Sequence, residues 1–538
     1  MQNTLFFYLA LLLVILFLVM LARRLKISYP IILVLGGLLL SFIPGLPVLH
    51  VEPELIFLLF LPPLLYEAAW YTSWKEFWKW RRVIGSFAFL IVILTASVIA
   101  FISQALIPGF TLALGFLLGA IISPPDAVSA TSILKDISVP KRIVSILEGE
   151  SLLNDASSLI VFRFALTAVV SGGFVFHEAI TSFFVVIIMG TLVGLSVAVV
   201  FYAIHRWLPT TPSMDTVLTF IAPYMMYITA EKFHFSGVLA VVSGGLFLSH
   251  HSHTMLSHLS RIRGANVWAT VGFALNGFIF MLIGLQLPVI VQQLGDHISL
   301  SEAIIYGLLI SLVVIITRLL CVMGASIFTK FISRYITTAD SNPGWRGPII
   351  VGWAGMRGVV SLASALSIPL VLSNGEAFPQ RNLILFITFT VILVTLVFQG
   401  LTLPYLIRWV NVQETDYPLS LAEQDFLIRR KLKREALKFI EEKYPSAGDT
   451  NELIKSLKLR LQSDITFLDY FHQPDVEEKW ESENILSYRE IMTNLFTQER
   501  QLLHTINKKA EVDEDVVRKH LTLLDLEEEK LRQQFEND

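Results

Sequence analysis

Residues 111–134 read TLALGFLLGAIISPPDAVSATSIL. The run is apolar and long enough to cross a bilayer, which takes roughly 20 residues. In its middle stand Ser123-Pro124-Pro125-Asp126. Each proline removes a backbone donor and clashes with the preceding turn, so a helix here is expected to break or unwind. A broken backbone at membrane depth is tolerated only where it lines protein or a wet cavity. The freed carbonyls can then coordinate a cation. Asp126 sits at the break, either as the cap of the second half-helix or facing an ion, and the two roles are compatible.

The composition agrees with a membrane setting. Of 538 residues, 54% are hydrophobic and 16% charged, whereas an ordinary soluble domain is about 25% charged. A single soluble globular enzyme is excluded, and so is intrinsic disorder. The one cysteine, Cys321, allows neither an internal disulfide framework nor a cysteine-rich metal site. The net charge of −3 points to no nucleic-acid partner. It conceals an asymmetry: residues 1–412 carry 22 Lys and Arg against 16 Asp and Glu, and residues 413–538 carry 19 against 28. The first part suits hydrocarbon and the second suits water. The division reads as a transmembrane domain over 1–412 and a cytoplasmic helical tail over 413–538.

Thirteen apolar stretches are expected to span the membrane: 5–22, 30–46, 52–70, 83–107, 111–134, 143–170, 179–204, 214–230, 235–249, 266–290, 303–329, 347–372 and 382–407. The first lacks a basic leader and is followed by Arg23, Arg24 and Lys26, so it reads as a span and not as a cleaved signal. The odd-numbered loops hold 16 Lys and Arg, and the even-numbered loops hold only Lys232 and Arg381. Basic loops stay in the cytoplasm, which places the amino terminus outside and the tail inside. Tail residues 420–443 and 476–536 read as amphipathic helices, interrupted at Tyr444-Pro445-Ser446-Ala447-Gly448. The tail reads as a solvated helical element for assembly or stability or as a regulatory one, and its acidic charge suits a contact with the basic cytoplasmic loops.

Charges within a bilayer cost about 2.5–3.5 kcal/mol each on insertion scales, so those present point to function or pairing. They are Glu67, Asp126, Glu148, Glu150, Asp155, Arg163, Arg318 and Arg357. Glu148 and Arg163 lie nearer the ends of their span, where snorkelling or local structure explains them. Asp155 lies 14 residues beyond the cytoplasmic Lys141, which is about 20 Å of helix and near mid-depth. Ser151, four residues earlier, shares its face. The stretch Gly149-Glu150-Ser151-Leu152-Leu153-Asn154-Asp155 therefore gathers hard oxygens suited to Na⁺, K⁺ or Li⁺. For Ser151 and Asn154 a polar helix–helix contact is an equally ordinary role.

A second interrupted helix is expected at Gly352-Trp353-Ala354-Gly355-Met356-Arg357-Gly358. It lies seven spans after the first and runs in the opposite direction. Spans 1–6 and 8–13 therefore read as inverted repeats, with discontinuous helices 5 and 12 in matching positions, and such an arrangement points to a secondary transporter with a midplane site. Arg318, halfway along span 11, needs a carboxylate partner, and Glu150 is the candidate. Arg357 would offset the negative helix ends and carboxylates at the crossing.

These motifs resemble the monovalent cation/proton antiporter family, and within it the bacterial NhaP-type branch related to animal sodium/proton exchangers. The resemblance covers about residues 1–410. It implies an all-α fold of 13 transmembrane helices in two inverted six-helix repeats, a homodimer in the lipid bilayer of the cell membrane, and elevator-type alternating access. It implies Asp155 as the ion and proton carrier, supported by Asn154 and Ser151, with Asp126 and the Pro125 carbonyl completing the coordination. By the same resemblance Glu150 pairs with Arg318. Glu67, in Leu61-Pro62-Pro63-Leu64-Leu65-Tyr66-Glu67, matches an acid on the third helix that approaches the site in some members. Many members carry proline directly after the aspartate of span 5, whereas here Ala127 follows and Pro125 precedes.

The expected activity is exchange of Na⁺, with K⁺ or Li⁺ as alternatives, for H⁺. A desolvated carboxylate holds a proton or a cation but not both well, and alternating access turns that competition into exchange. Asn154 beside Asp155 reduces the titrating groups, which favours one cation per proton. No cofactor is expected, since the chain has no phosphate-binding Gly-x-x-x-x-Gly-Lys-Ser/Thr run. A potassium-preferring exchanger is the near alternative. The distant ones are a non-transporting membrane sensor and an intramembrane metalloenzyme built on His250, His251, His253 and His258. Those histidines read more simply as a cytoplasmic loop, with pH sensing as a further role.

Overall fold

The computed structural model describes residues 2–43, 57–134, 137, 139–172, 176–294, 298–335, 340, 343–372, 375–412, 421–445, 451–470, 478–506 and 514–535. They belong to two units, Met1–Glu414 and Thr415–Asp538. Among the described residues the structure is helical, with one isolated antiparallel bridge between Val371 and Ala377.

The first unit starts with α1 (Gln2–Leu25), α2 (Tyr29–Ser41) and α3 (Leu61–Tyr71). There follow α4 (Trp74–Leu106), with a π-helical turn at Ser86–Ile91, and the two half-helices α5 (Leu112–Ile122) and α6 (Ala127–Leu134). Next come α7 (Lys141–Ser171), α8 (Phe176–Trp207), α9 (Pro212–Lys232) and α10 (Gly237–Met255). The unit closes with α11 (His258–Gln293), α12 (Leu300–Ile332), a second pair of half-helices α13 (Arg346–Trp353) and α14 (Val359–Leu366), and α15 (Arg381–Val410).

Eight helices among the described residues are long and apolar enough to cross a membrane. The five other stretches expected to span are helical but shorter or more polar. α2 has 13 residues and α3 has 11. α9 carries charged ends and an internal proline, Pro223, and α10 ends among histidines. The twelfth stretch is the pair α13 and α14, of eight residues each. Residues 44–46 of the second expected span and 52–56 of the third lie outside the described residues.

Lipid tails are as apolar as a leucine side chain, so close packing rather than the hydrophobic effect drives one membrane helix onto another. α4 and α5 show this. A Cβ added at Gly119 would lie 2.5 Å from the Ala96 carbonyl oxygen, and one at Gly115 would lie 2.6 Å from that of Ala100. Glycines four apart on one helix meet alanines four apart on the other. The buried core runs through α1, α2, α5, α11, α12 and α15, where Leu33, Leu117, Phe280 and Ile384 are sealed from solvent. Phe17, Leu192 and Leu320 instead stand out from the surface, as lipid-facing residues do.

Among its described residues the second unit has four helices, α16 (Leu421–Lys443), α17 (Glu452–Tyr470), α18 (Glu478–Ile506) and α19 (Glu514–Phe535). The amphipathic helices expected over 476–536 are α18 and α19, with residues 476–477, 507–513 and 536 outside the described residues, and α17 lies where the sequence reading placed no helix. Ion pairs Lys433–Asp464 (2.6 Å) and Arg434–Asp469 (3.1 Å) join α16 to α17. Phe496, Leu524 and Leu531 pack α18 on α19. The charge content that marked the region as water-exposed comes from cross-helix pairs as well as single-helix faces.

Candidate functional site

The half-helix pairs α5/α6 and α13/α14 meet at their breaks. The Asp126 backbone N–H donates to the Met356 carbonyl at 2.7 Å, linking one break to the other. The Asp126 carboxylate accepts from the Val128 N–H (2.9 Å) and the Ser129 hydroxyl (3.3 Å). It therefore caps α6, satisfying donors that a new helix leaves open. The same carboxylate lies against Gly358, where an added Cβ would sit 2.0 Å from Oδ2. Only hydrogen fits there. Overpacking of this kind costs about 1–3 kcal/mol, so Gly358→Ala is expected to destabilise the protein by about that amount. A thermal melt of the purified protein measures it, and an unchanged melting temperature would refute the close fit.

Arg357 is fully buried between the breaks. Its Nε donates to the Ile122 carbonyl (2.8 Å) and its Nη2 to that of Ser123 (3.3 Å), and Nη1 donates to the Gly355 carbonyl. Its own N–H donates to Thr395 Oγ1 at 3.1 Å. The carbonyl end of a helix carries roughly half a negative charge. The guanidinium thus lies on the carbonyl end of α5 and just past that of α13, and both ends would otherwise be short of donors.

α7 brings the acidic stretch beside this crossing. Asn154 Nδ2 donates to the Pro125 carbonyl at 2.8 Å, and Ser151 Oγ accepts from the Ala127 N–H at 3.1 Å. Both side chains therefore hold the unwound segment. Asn154 is sealed from solvent, and its Oδ1 has no partner among the described residues. Asp155 is 8% exposed. Among the described residues nothing hydrogen-bonds its carboxylate, which faces a cavity. The contrast with Asp126 is chemical: one carboxylate is occupied by backbone and hydroxyl donors, and the other is open.

Glu150, one turn before Asn154, points elsewhere. Arg318 of α12 forks onto it, Nη1 to Oε1 at 2.7 Å and Nη2 to Oε2 at 2.9 Å, with both side chains at most 2% exposed. Nη2 also reaches the Val351 carbonyl at 3.3 Å. Gly355 admits this guanidinium, since a Cβ there would lie 2.2 Å from Arg318 Cδ.

The cavity has a volume of about 1830 Å³. Asp126, Ser151, Asp155 and Glu67 line its interior, and Arg23, Lys26 and Arg408 line one end. Among its described lining residues none comes from the loops at the other end of the helices. Glu67 lies against α11, where a Cβ at Gly272 would meet Oε2 at 1.8 Å. Glu148 also lines the cavity, and Arg163 pairs with Glu231 at 2.6 Å.

A buried cluster escaped the sequence reading. His205 Nδ1 lies 2.8 Å from Asp215 Oδ1, and Ser260 Oγ donates to Asp215 Oδ2 at 2.6 Å. The three residues come from α8, α9 and α11, and no sequence spacing signals their meeting. The histidines at 250–258 are arranged differently. His251 Nδ1 is 2.9 Å from the Phe247 carbonyl, and its ring packs against Phe247 and Tyr202. No three His, Cys, Asp or Glu side chains among the described residues converge as metal ligands would.

A multi-pass helical membrane protein with a cavity reaching an open carboxylate at two crossed helix breaks is the class so defined. The transmembrane sodium/hydrogen exchanger family matches residues 9–409, and the chain belongs to that family, one of transporters and not enzymes. A sodium, potassium, lithium and rubidium/H⁺ antiporter of Bacillus pumilus is 33% identical, over 77% of this chain and 62% of its own length. An Na⁺/H⁺ exchanger of Mycobacterium tuberculosis, described as uncharacterized, is 29% identical over 95% of this chain and 93% of its own. The structure of the sodium proton antiporter MjNhaP1 from Methanocaldococcus jannaschii has a TM-score of 0.61 at 19% identity, over 77% of this chain and 99% of that one. That likeness is one of fold.

Proposed function

We propose that this chain is a secondary active antiporter exchanging Na⁺ for H⁺ across the cell membrane. The observation that carries this is the Asp155 carboxylate, open to a cavity beside two broken helices while the neighbouring Asp126 is engaged as a cap. A cation and a proton compete for Asp155. Asp126, Ser151, Asn154 and the Pro125 carbonyl shape the site, Glu150 with Arg318 and Arg357 hold the crossing rigid, and Glu67 lines the same cavity. The protein crosses the membrane thirteen times as two inverted repeats, forms a homodimer, and keeps its amino terminus outside and its tail in the cytoplasm. On the positive-inside rule the cavity end lined by Arg23, Lys26 and Arg408 faces the cytoplasm. In an elevator cycle, a cavity open to that side belongs to the inward-open state.

A potassium preference is the second reading, favoured by the name of the Bacillus pumilus relative, which includes potassium, lithium and rubidium with sodium. Purified protein in sealed vesicles, driven by Na⁺, K⁺ or Li⁺ gradients in turn, tests both. Proton flux following a Na⁺ gradient without a membrane potential is expected, one charge for one. A potential generated by turnover would overturn the one-for-one stoichiometry, and proton flux driven by none of the three cations would overturn the exchange itself.

A further inference from the structure

The first two and a half turns of α4 carry chemistry that the exchange site does not use. They read WKEFWKWRR over residues 74–82. α4 is 33 residues long, about 50 Å of helix, against a hydrocarbon core of about 30 Å. Its apolar run begins at Val83, so residues 74–82 extend about 13 Å beyond the hydrocarbon, through the headgroup layer. Residues three and four apart on a helix share a face. Trp74, Trp78 and Arg81 form one stripe, and Lys75, Lys79 and Arg82 form the adjacent one.

Trp74, Trp78, Lys75, Arg81 and Arg82 are exposed. The one acid of the segment, Glu76, is 2% exposed and turned into the protein, so the outer face bears only positive charge. The Arg81 guanidinium lies 4.5 Å from the Trp78 ring centroid and also donates to the Trp78 carbonyl at 2.6 Å. Indoles at a membrane interface favour the headgroup level, and a cation fixed over an indole stands ready to meet a phosphate. Ser73 fixes the start of the segment by accepting from the Glu76 N–H. Just beyond the segment, Ile84 packs on Gly149 of α7, where a Cβ would lie 2.5 Å from Ile84 Cδ1.

We infer that residues 74–82 form a binding surface for anionic phospholipid headgroups. The exposed Lys75 and Arg81 bind the lipid phosphates, Lys79 and Arg82 add positive charge beside them, and Trp74 and Trp78 set the depth of binding. The surface discriminates by headgroup charge: a zwitterionic headgroup brings its own ammonium to the site and cancels the attraction. Each cation near an anionic membrane surface contributes about fivefold in affinity.

The test uses the purified full-length chain in detergent, with phosphatidylglycerol or phosphatidylcholine of matched acyl chains added during thermal melts in choline chloride. Phosphatidylglycerol is expected to raise the melting temperature, phosphatidylcholine and inorganic phosphate to leave it unchanged, and high salt to shrink the shift. The variant Lys75→Gln/Lys79→Gln/Arg81→Gln/Arg82→Gln is expected to bind phosphatidylglycerol at least tenfold more weakly, and Arg261→Gln/Arg263→Gln is expected to bind like the wild type. Equal shifts with both lipids, an equal shift with inorganic phosphate, or an undiminished shift in the fourfold variant would overturn the proposal. Should that variant fail to fold, Trp74→Phe/Trp78→Phe compared with wild type gives an independent measure with acyl-brominated lipids. Selective loss of quenching by brominated phosphatidylglycerol supports the surface, and quenching that is equal for the two lipids in the wild type overturns it.

Discussion

Replacing Asp155 by asparagine is expected to abolish cation-driven proton flux while the protein still folds and inserts. Among the described residues nothing hydrogen-bonds the Asp155 carboxylate, which faces the cavity, so removing its charge disrupts no hydrogen bond of the fold. An amide is close to isosteric, but it neither binds a proton in this range nor neutralises a cation. The wild type carries a further signature. If one proton and one cation compete for one carboxylate, the half-saturating cation concentration rises roughly tenfold per pH unit on the acid limb, because each cation bound displaces one proton. Flux in sealed vesicles at several pH values measures both effects. Robust exchange in the variant, or a cation requirement independent of pH, would refute the assignment. Asp126→Asn makes an informative contrast, because that side chain also caps α6, and its replacement is expected to lower stability as well as flux.

The second large effect is expected at Arg318. Its fork onto Glu150 is buried, with side chains 2% and 0% exposed. Breaking a buried pair by removing one partner costs about 3–5 kcal/mol, because the other charge is left uncompensated. Arg318→Met should therefore yield a poorly folded protein with no exchange. Replacing both members by apolar residues of similar size is often neutral, so Glu150→Leu/Arg318→Met should recover most of the lost stability. Melting temperatures of the single and double variants give the comparison. If the double variant melts no higher than Arg318→Met alone, the uncompensated Glu150 charge was not the cause.

Much of this arrangement was legible along the chain because membranes impose severe local rules. The two prolines at 124–125 and the glycines around Arg357 foretold interruptions, and the helices break at 123–126 and 354–358. The Glu150–Arg318 expectation followed from the cost of a lone buried guanidinium, and the structure has these two side chains in contact. Other features had no local signal. That Ser151 and Asn154 bind the unwound backbone, leaving Asp155 open, depends on how α7 is rotated against α5 and α6. The His205–Asp215–Ser260 cluster needs three helices to meet. The partners of the Arg357 guanidinium are carbonyls, which every residue has, so no residue type could announce them.

By itself, the sequence determined a helical membrane protein, the places where its helices fail, and the short set of charges that must be paired or used. Those follow from desolvation and backbone hydrogen bonding, which act residue by residue. Only the tertiary structure decided which carboxylate is spent as a helix cap, which is tied to arginine and which remains open to the cavity. Each outcome depends on distances of a few ångströms between helices far apart in the chain, and at that range a neighbour's donor determines whether a buried carboxylate is held in place or left open to an ion.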